Sequence, residues 1–122
     1  MFKKNNYKIV YLLENKTLER YINNKDIHFR LFKELNKNYK FYIINISNIM
    51  KSNTADIKNL DGFNYIIPDN IDELNNFFLD YKILASIKIP IDLKFHKIFR
   101  CLKKNKVKLF SFSNLVFSYE DN

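Results

Sequence analysis

Four short polar stretches follow apolar runs in this chain, and they hold most of the residues suited to chemistry. They are Glu14-Asn15-Lys16, Ser47-Asn48, Asp69 and Lys88. A carboxylate and an amide at 14 and 15 can hold a ligand hydroxyl, and Glu14 can act as a general base. The plainer reading of the same pair is a turn into a helix. Asp69 can meet a ligand, although Asp before Asn70 at a helix entry is ordinary turn chemistry. His28 and His96 are far apart and read as solvated or half-buried side chains. Cys101 neighbours Leu102 and reads as a packed residue.

Scarcity excludes more than abundance reveals. The single glycine, Gly62, rules out a dinucleotide fingerprint, a P-loop and a nucleophile elbow, each of which needs at least two. One cysteine rules out an internal disulfide and a Cys-rich zinc site, and the histidines lack the spacing of a zinc helix. No cofactor or metal is expected from these residues. The catalytic residues, if any, are not legible.

The net charge of +8 is unevenly placed. Lys82 to Lys108 holds nine basic residues and one acid, Asp92, while the rest of the chain is balanced. Lys94, Lys97, Arg100, Lys103, Lys104 and Lys106 form the candidate basic patch. Such a patch suits phosphates, nucleic acid or an acidic membrane surface. A composition rich in Lys, Asn, Ile, Phe and Tyr offers a plainer source, lysine filling any solvated face.

These residues must be positioned by a fold, and the 122-residue length is that of one domain. A hydrophobic fraction of 47% and twenty Phe and Tyr residues allow a real core. Residues 8–13, 40–46 and 82–87 are apolar runs without alternation, as in strands covered on both faces. Strands are also predicted at 65–67 and 107–112. Thr17 is the expected cap of a first helical turn and Asp26 of a second helix carrying Ile27, Leu31, Phe32 and Leu35. Residues 47–59 read as loop or short helix. Asn70 with Glu73 has capping-box spacing before a helix with Ile71, Leu74, Phe77 and Phe78 on one side. Ile91, Phe95, Ile98, Phe99 and Leu102 form an apolar stripe at helical spacing, with Lys94, Lys97 and Lys104 away from it. The aromatics of these two helices therefore read as core and not as a base-stacking platform.

Alternating buried strands and helices predict a three-layer α/β domain. Its expected sheet is doubly wound and mainly parallel, Rossmann-like, with about five strands. Ligands of such sheets bind outside the carboxyl ends of the strands, where strand order reverses. That is why Glu14, Asn15, Lys16, Ser47, Asn48, Asp69 and Lys88 are the ligand-binding candidates. No apolar run is long enough to span a bilayer, and the basic start lacks the features of a signal peptide. The expected location is cytoplasmic, membrane-peripheral if the patch meets lipid.

Several stretches resemble bacterial surface-polysaccharide biosynthesis proteins. KIVYLLEN (Lys8 to Asn15) with TLERY (Thr17 to Tyr21) is similar to their opening strand, a Glu-Asn pair and a helix. YKFYIINISNIM (Tyr39 to Met50) resembles their second strand and polar loop. IDELNNFF (Ile71 to Phe78) resembles a linking helix, and FHKIFRCLKKNKVKLFSFSN (Phe95 to Asn114) the closing helix and strand. The resemblance implies the amino-terminal, acceptor-side half of a GT-B-type glycosyltransferase, working with a carboxy-terminal nucleotide-sugar domain and a glycan acceptor. It implies no catalysis by this half alone. Two alternatives stand beside it: a phosphate- or nucleic-acid-binding module using 82–108, and a flavodoxin-like interaction domain. A strand order of 3-2-1-4-5 fits the first reading and 2-1-3-4-5 the last.

Overall fold

The computed structural model describes residues 8–24, 27–51, 57–80, 83–87 and 95–110. Strand β1 (Lys8–Leu13) is buried along nearly its whole length. Such a strand needs cover on both faces, and the neighbouring helices provide it. Helices α1 (Asn15–Asn24) and α2 (Ile27–Asn38) lead to β2 (Lys40–Asn45). A single turn, α3 (Ser47–Met50), then precedes β3 (Asn64–Ile66). Helix α4 (Ile71–Asp80) leads to β4 (Ile83–Ile87), and α5 (His96–Lys104) to β5 (Lys108–Phe110).

All pairings are parallel, and the strand order is β3-β2-β1-β4-β5. The full-length strands are β2, β1 and β4; β3 and β5 are edges of three residues each. This narrows the expectation of about five strands to three well-developed ones between short edges. Register places Val10 beside Tyr42 and Ser86, so β1 is the centre of the sheet.

Alternate residues of β1 enter opposite cores. Val10 and Leu12 join Ile44, Leu74, Phe78, Phe95, Ile98 and Leu102, which places α4 and α5 on one face. Ile9, Tyr11 and Leu13 join Leu18, Tyr21, Phe32, Leu35 and Phe41, which places α1 and α2 on the other. Phe32 sits at the centre of this second core. Its ring meets Tyr11 edge-on at 4.9 Å and also contacts Tyr21, Phe41 and Phe63. The predicted stripe of α5 is buried at Phe95, Ile98 and Leu102, with Cys101 beside it and Phe99 half-buried.

One helix start, that of α1, differs from the sequence reading, and the capping pair of α4 differs in one contact. The Glu14 carbonyl accepts the Leu18 amide at 3.1 Å, so α1 opens at Asn15 and Thr17 lies inside it rather than capping it. The Asn70 side chain accepts the Glu73 amide at 3.0 Å, as expected of a cap. The Glu73 carboxylate, however, reaches the amide of Asp69 at 3.1 Å, one residue before the usual partner. Asp26, Pro90, Ile91 and the tail from Ser111 lie outside the described residues.

Candidate functional site

The carboxyl ends of β1, β2 and β3 are joined by a buried polar network. The ladder itself runs one step past the strands, the Ile46 amide donating to the Leu13 carbonyl at 2.9 Å. Immediately beyond, the Asn15 amide donates to Ser47 Oγ at 2.7 Å. Asn45 Nδ2 donates to Asn15 Oδ1 at 3.3 Å and to the Tyr65 hydroxyl at 3.0 Å. Asn45 Oδ1 in the same side chain accepts the Ser47 amide at 3.0 Å. Tyr65 donates in turn to the Ile57 carbonyl at 2.7 Å. Burial raises the Tyr65 pKa, against a smaller lowering from the Asn45 hydrogen bond.

Asn15, Asn45 and Ser47 are almost fully buried. Buried polar groups are tolerable only with partners, and here they satisfy one another. Two of the candidates, Asn15 and Ser47, are therefore brought together, but as a clamp on the strand ends. Asn15 Nδ2 extends the clamp to Glu19 at 3.2 Å.

A cavity of about 170 Å³ opens beside this clamp, at the carboxyl end of β1. Its lining includes Tyr11, Leu13, Glu14, Thr17, Arg20, Tyr21, Ile46 and Phe95. Sheet order explains its place. Neighbours β2 and β4 of β1 are reached by connections on opposite faces, and the connections part there. Glu14 is presented by the turn after β1, and Thr17 and Arg20 by the first turns of α1. The Arg20 guanidinium lies over the Tyr21 ring at 5.5 Å. The Tyr21 and Tyr11 hydroxyls are 3.5 Å apart, and His28 stacks on Tyr21 with ring centroids 4.3 Å apart.

Carboxylate, hydroxyl and guanidinium groups around apolar walls suit a small polyhydroxylated or polar ligand. The volume is below the roughly 300–1,000 Å³ of sites for drug-sized ligands, which favours one ring over a whole nucleotide. Among the described residues there is no group of three His, Cys, Asp or Glu side chains arranged for a metal.

The other described candidates are not among the residues lining this cavity. Lys16 is exposed on α1. Asn48 Nδ2 donates to the Asp69 carboxylate at 3.2 Å, tying the α3 turn to the entry of α4. Lys88 and Lys94 are outside the described residues. Lys97, Arg100, Lys103, Lys104 and Lys106 are all exposed on α5 and the turn after it. Lys106 has a positive φ of 57°, in that turn.

The sequence reading passed over Asn45, Tyr65, Thr17 and Arg20 as site residues. Asn45 carries a usable signal, a lone amide inside the buried run FYIIN. Thr17 and Arg20 carry another, since i and i+3 on a helix beside Glu14 share its face. No protein-family model matches the chain, and neither a curated protein nor a solved structure matches it.

Proposed function

We propose that this chain is a Rossmann-like, acceptor-side domain of a glycosyltransferase-like protein of surface-polysaccharide biosynthesis. The cavity at the carboxyl end of β1 is its acceptor site. The observation that carries the reading is this cavity's position where the strand order β3-β2-β1-β4-β5 reverses. That order is the one expected of such a half-domain, and differs from the flavodoxin-like 2-1-3-4-5.

In this reading Glu14 accepts a hydrogen bond from a sugar hydroxyl, and Arg20 donates to a neighbouring oxygen. Thr17 can do both, and Phe95 and Tyr21 supply apolar walls for the C–H face of a ring. The nucleotide sugar is held by a separate carboxy-terminal domain, so this chain alone positions an acceptor and does not transfer sugar. The protein works in the cytoplasm. Incubating the chain with a panel of nucleotide sugars and assaying released nucleotide tests the division of labour. No release is expected; clear multiple turnover overturns the reading.

A further inference from the structure

The exposed face of α5 carries charge of one sign. Lys97, Arg100, Lys103, Lys104 and Lys106 are exposed, and residues 95–110 include no acid. Other helices of the domain differ: α1 mixes Lys16, Glu19 and Arg20, α2 includes Glu34 among its cations, and α4 opens on Asp72 and Glu73. A lysine-rich composition adds cations to every solvated face; it does not empty one helix of acids. The helix dipole favours Lys103 and Lys104 in the last turn of α5, but it disfavours Lys97 in the first. Clustered like charges also repel one another. An anionic partner removes that penalty.

Leu79 indicates which anion. It is 67% exposed, and among the described residues only it and Ile27 on α2 are large apolar side chains left so open. Asn75 accepts a hydrogen bond from Asn105 at 2.9 Å, so that side of α4 faces the end of α5. Leu79 lies four residues on, one turn further along the same side. Both helices run back from the carboxyl ends of the strands to their amino ends. Leu79, with Asp80 next in the chain, therefore lies at the same end of the domain as Lys103, Lys104 and Lys106, while Asp72 and Glu73 lie at the other. Cations beside an exposed aliphatic side chain suit a lipid interface, where the charges meet phosphates and the leucine enters the acyl boundary. Single-stranded nucleic acid calls for exposed aromatics, and on α5 Phe95 is buried and Phe99 half-buried in the core.

We propose that α5 and Leu79 form a docking surface for an anionic lipid bilayer. This goes beyond the acceptor-site reading and does not depend on it. The test is co-sedimentation of the full chain with vesicles of phosphatidylcholine containing phosphatidylserine, beside vesicles of phosphatidylcholine alone. Binding to the anionic vesicles is expected at about 0.1 M salt and release at about 1 M, as the Debye length falls from about 10 to about 3 Å. Each cation at the surface is worth about fivefold in affinity, so K97Q/K103Q/K104Q weakens binding roughly a hundredfold. Leu79→Ser weakens it about tenfold while leaving any binding to single-stranded RNA unchanged. Failure of the wild type to sediment with anionic vesicles overturns the proposal. Equal sedimentation with phosphatidylcholine alone overturns it too, as does binding to single-stranded RNA that is tighter than binding to the anionic vesicles. The wild-type lipid and salt comparison is decisive even if a variant misfolds.

Discussion

The Asn15 amide and the Ser47 hydroxyl, 32 residues apart, meet at 2.7 Å, so the turn leaving β1 is hung on the residue that follows β2. This bond sets where α1 begins and hence where Glu14, Thr17 and Arg20 stand around the cavity. Ser47→Ala leaves a buried N–H without its acceptor. The expected loss is roughly 1–3 kcal/mol, read from urea denaturation. Asn45→Leu is expected to cost more, because it strands the Ser47 amide, Asn15 Oδ1 and one contact of Tyr65 together. If both variants are as stable as the wild type, the clamp is not a structural element.

Alkaline pH should weaken the fold through two groups. Burial raises the Cys101 pKa above its ordinary 9.0, against smaller lowering by the Lys104 charge and the Asn105 hydrogen bond. Burial likewise raises Tyr65 above 10.0. A raised pKa means that the folded chain holds its proton where the unfolded chain releases it. The contribution is fully present below the unfolded value and is lost as pH rises through the folded one. The phenolate form of Tyr65 also cannot donate to Ile57. Stability is expected to fall from about pH 9 upward, with C101A flattening the first part and Y65F the part above pH 10. A stability profile in which neither variant changes the slope contradicts this account.

The second core should be sensitive at its centre. Phe32 touches four other aromatic rings and is fully buried. Phe32→Ala is expected to cost about 3–5 kcal/mol, from lost transfer energy and the cavity left behind. A thermal melt beside the wild type is sufficient to read it, and a loss below about 1 kcal/mol is inconsistent with this packing.

The cations of α5 should matter little to stability, whatever they bind. They are exposed, and substitutions at such positions usually shift stability by no more than about 0.5 kcal/mol. K97Q/K103Q/K104Q is therefore expected to melt close to the wild type in buffer without lipid. A large loss places those side chains in the structure and not on its surface.

The strands of the fold were legible because burial on both faces leaves an unbroken apolar run, as in Lys8–Leu13 and Lys40–Asn45. The apolar stripe of α5 was legible because helical spacing is a local property, and the cap at Asn70 for the same reason. The start of α1 was not. Thr17 has the chemistry of a cap, but the Asn15 amide found an acceptor in Ser47, a contact no local pattern encodes. Asn15 and Ser47 stood out by position and chemistry, yet whether such groups face a ligand or each other depends on strand pairing. Arg20 reached the cavity because α1 starts early and folds over the end of β1. The short edges β3 and β5 were legible as strands, and both orders considered put β5 beside β4; the place of β3, beside β2, depends on pairing that no local pattern encodes.

The proposed acceptor site is tested most directly by amide NMR of the isotopically labelled chain titrated with oligosaccharides. The account predicts saturable shifts at Glu14, Thr17, Arg20 and Tyr21 with at least one glycan, weakened in Arg20→Gln. Glycans that leave those four resonances unmoved, or that shift only Lys103, Lys104 and Lys106 at the far end of α5, contradict it.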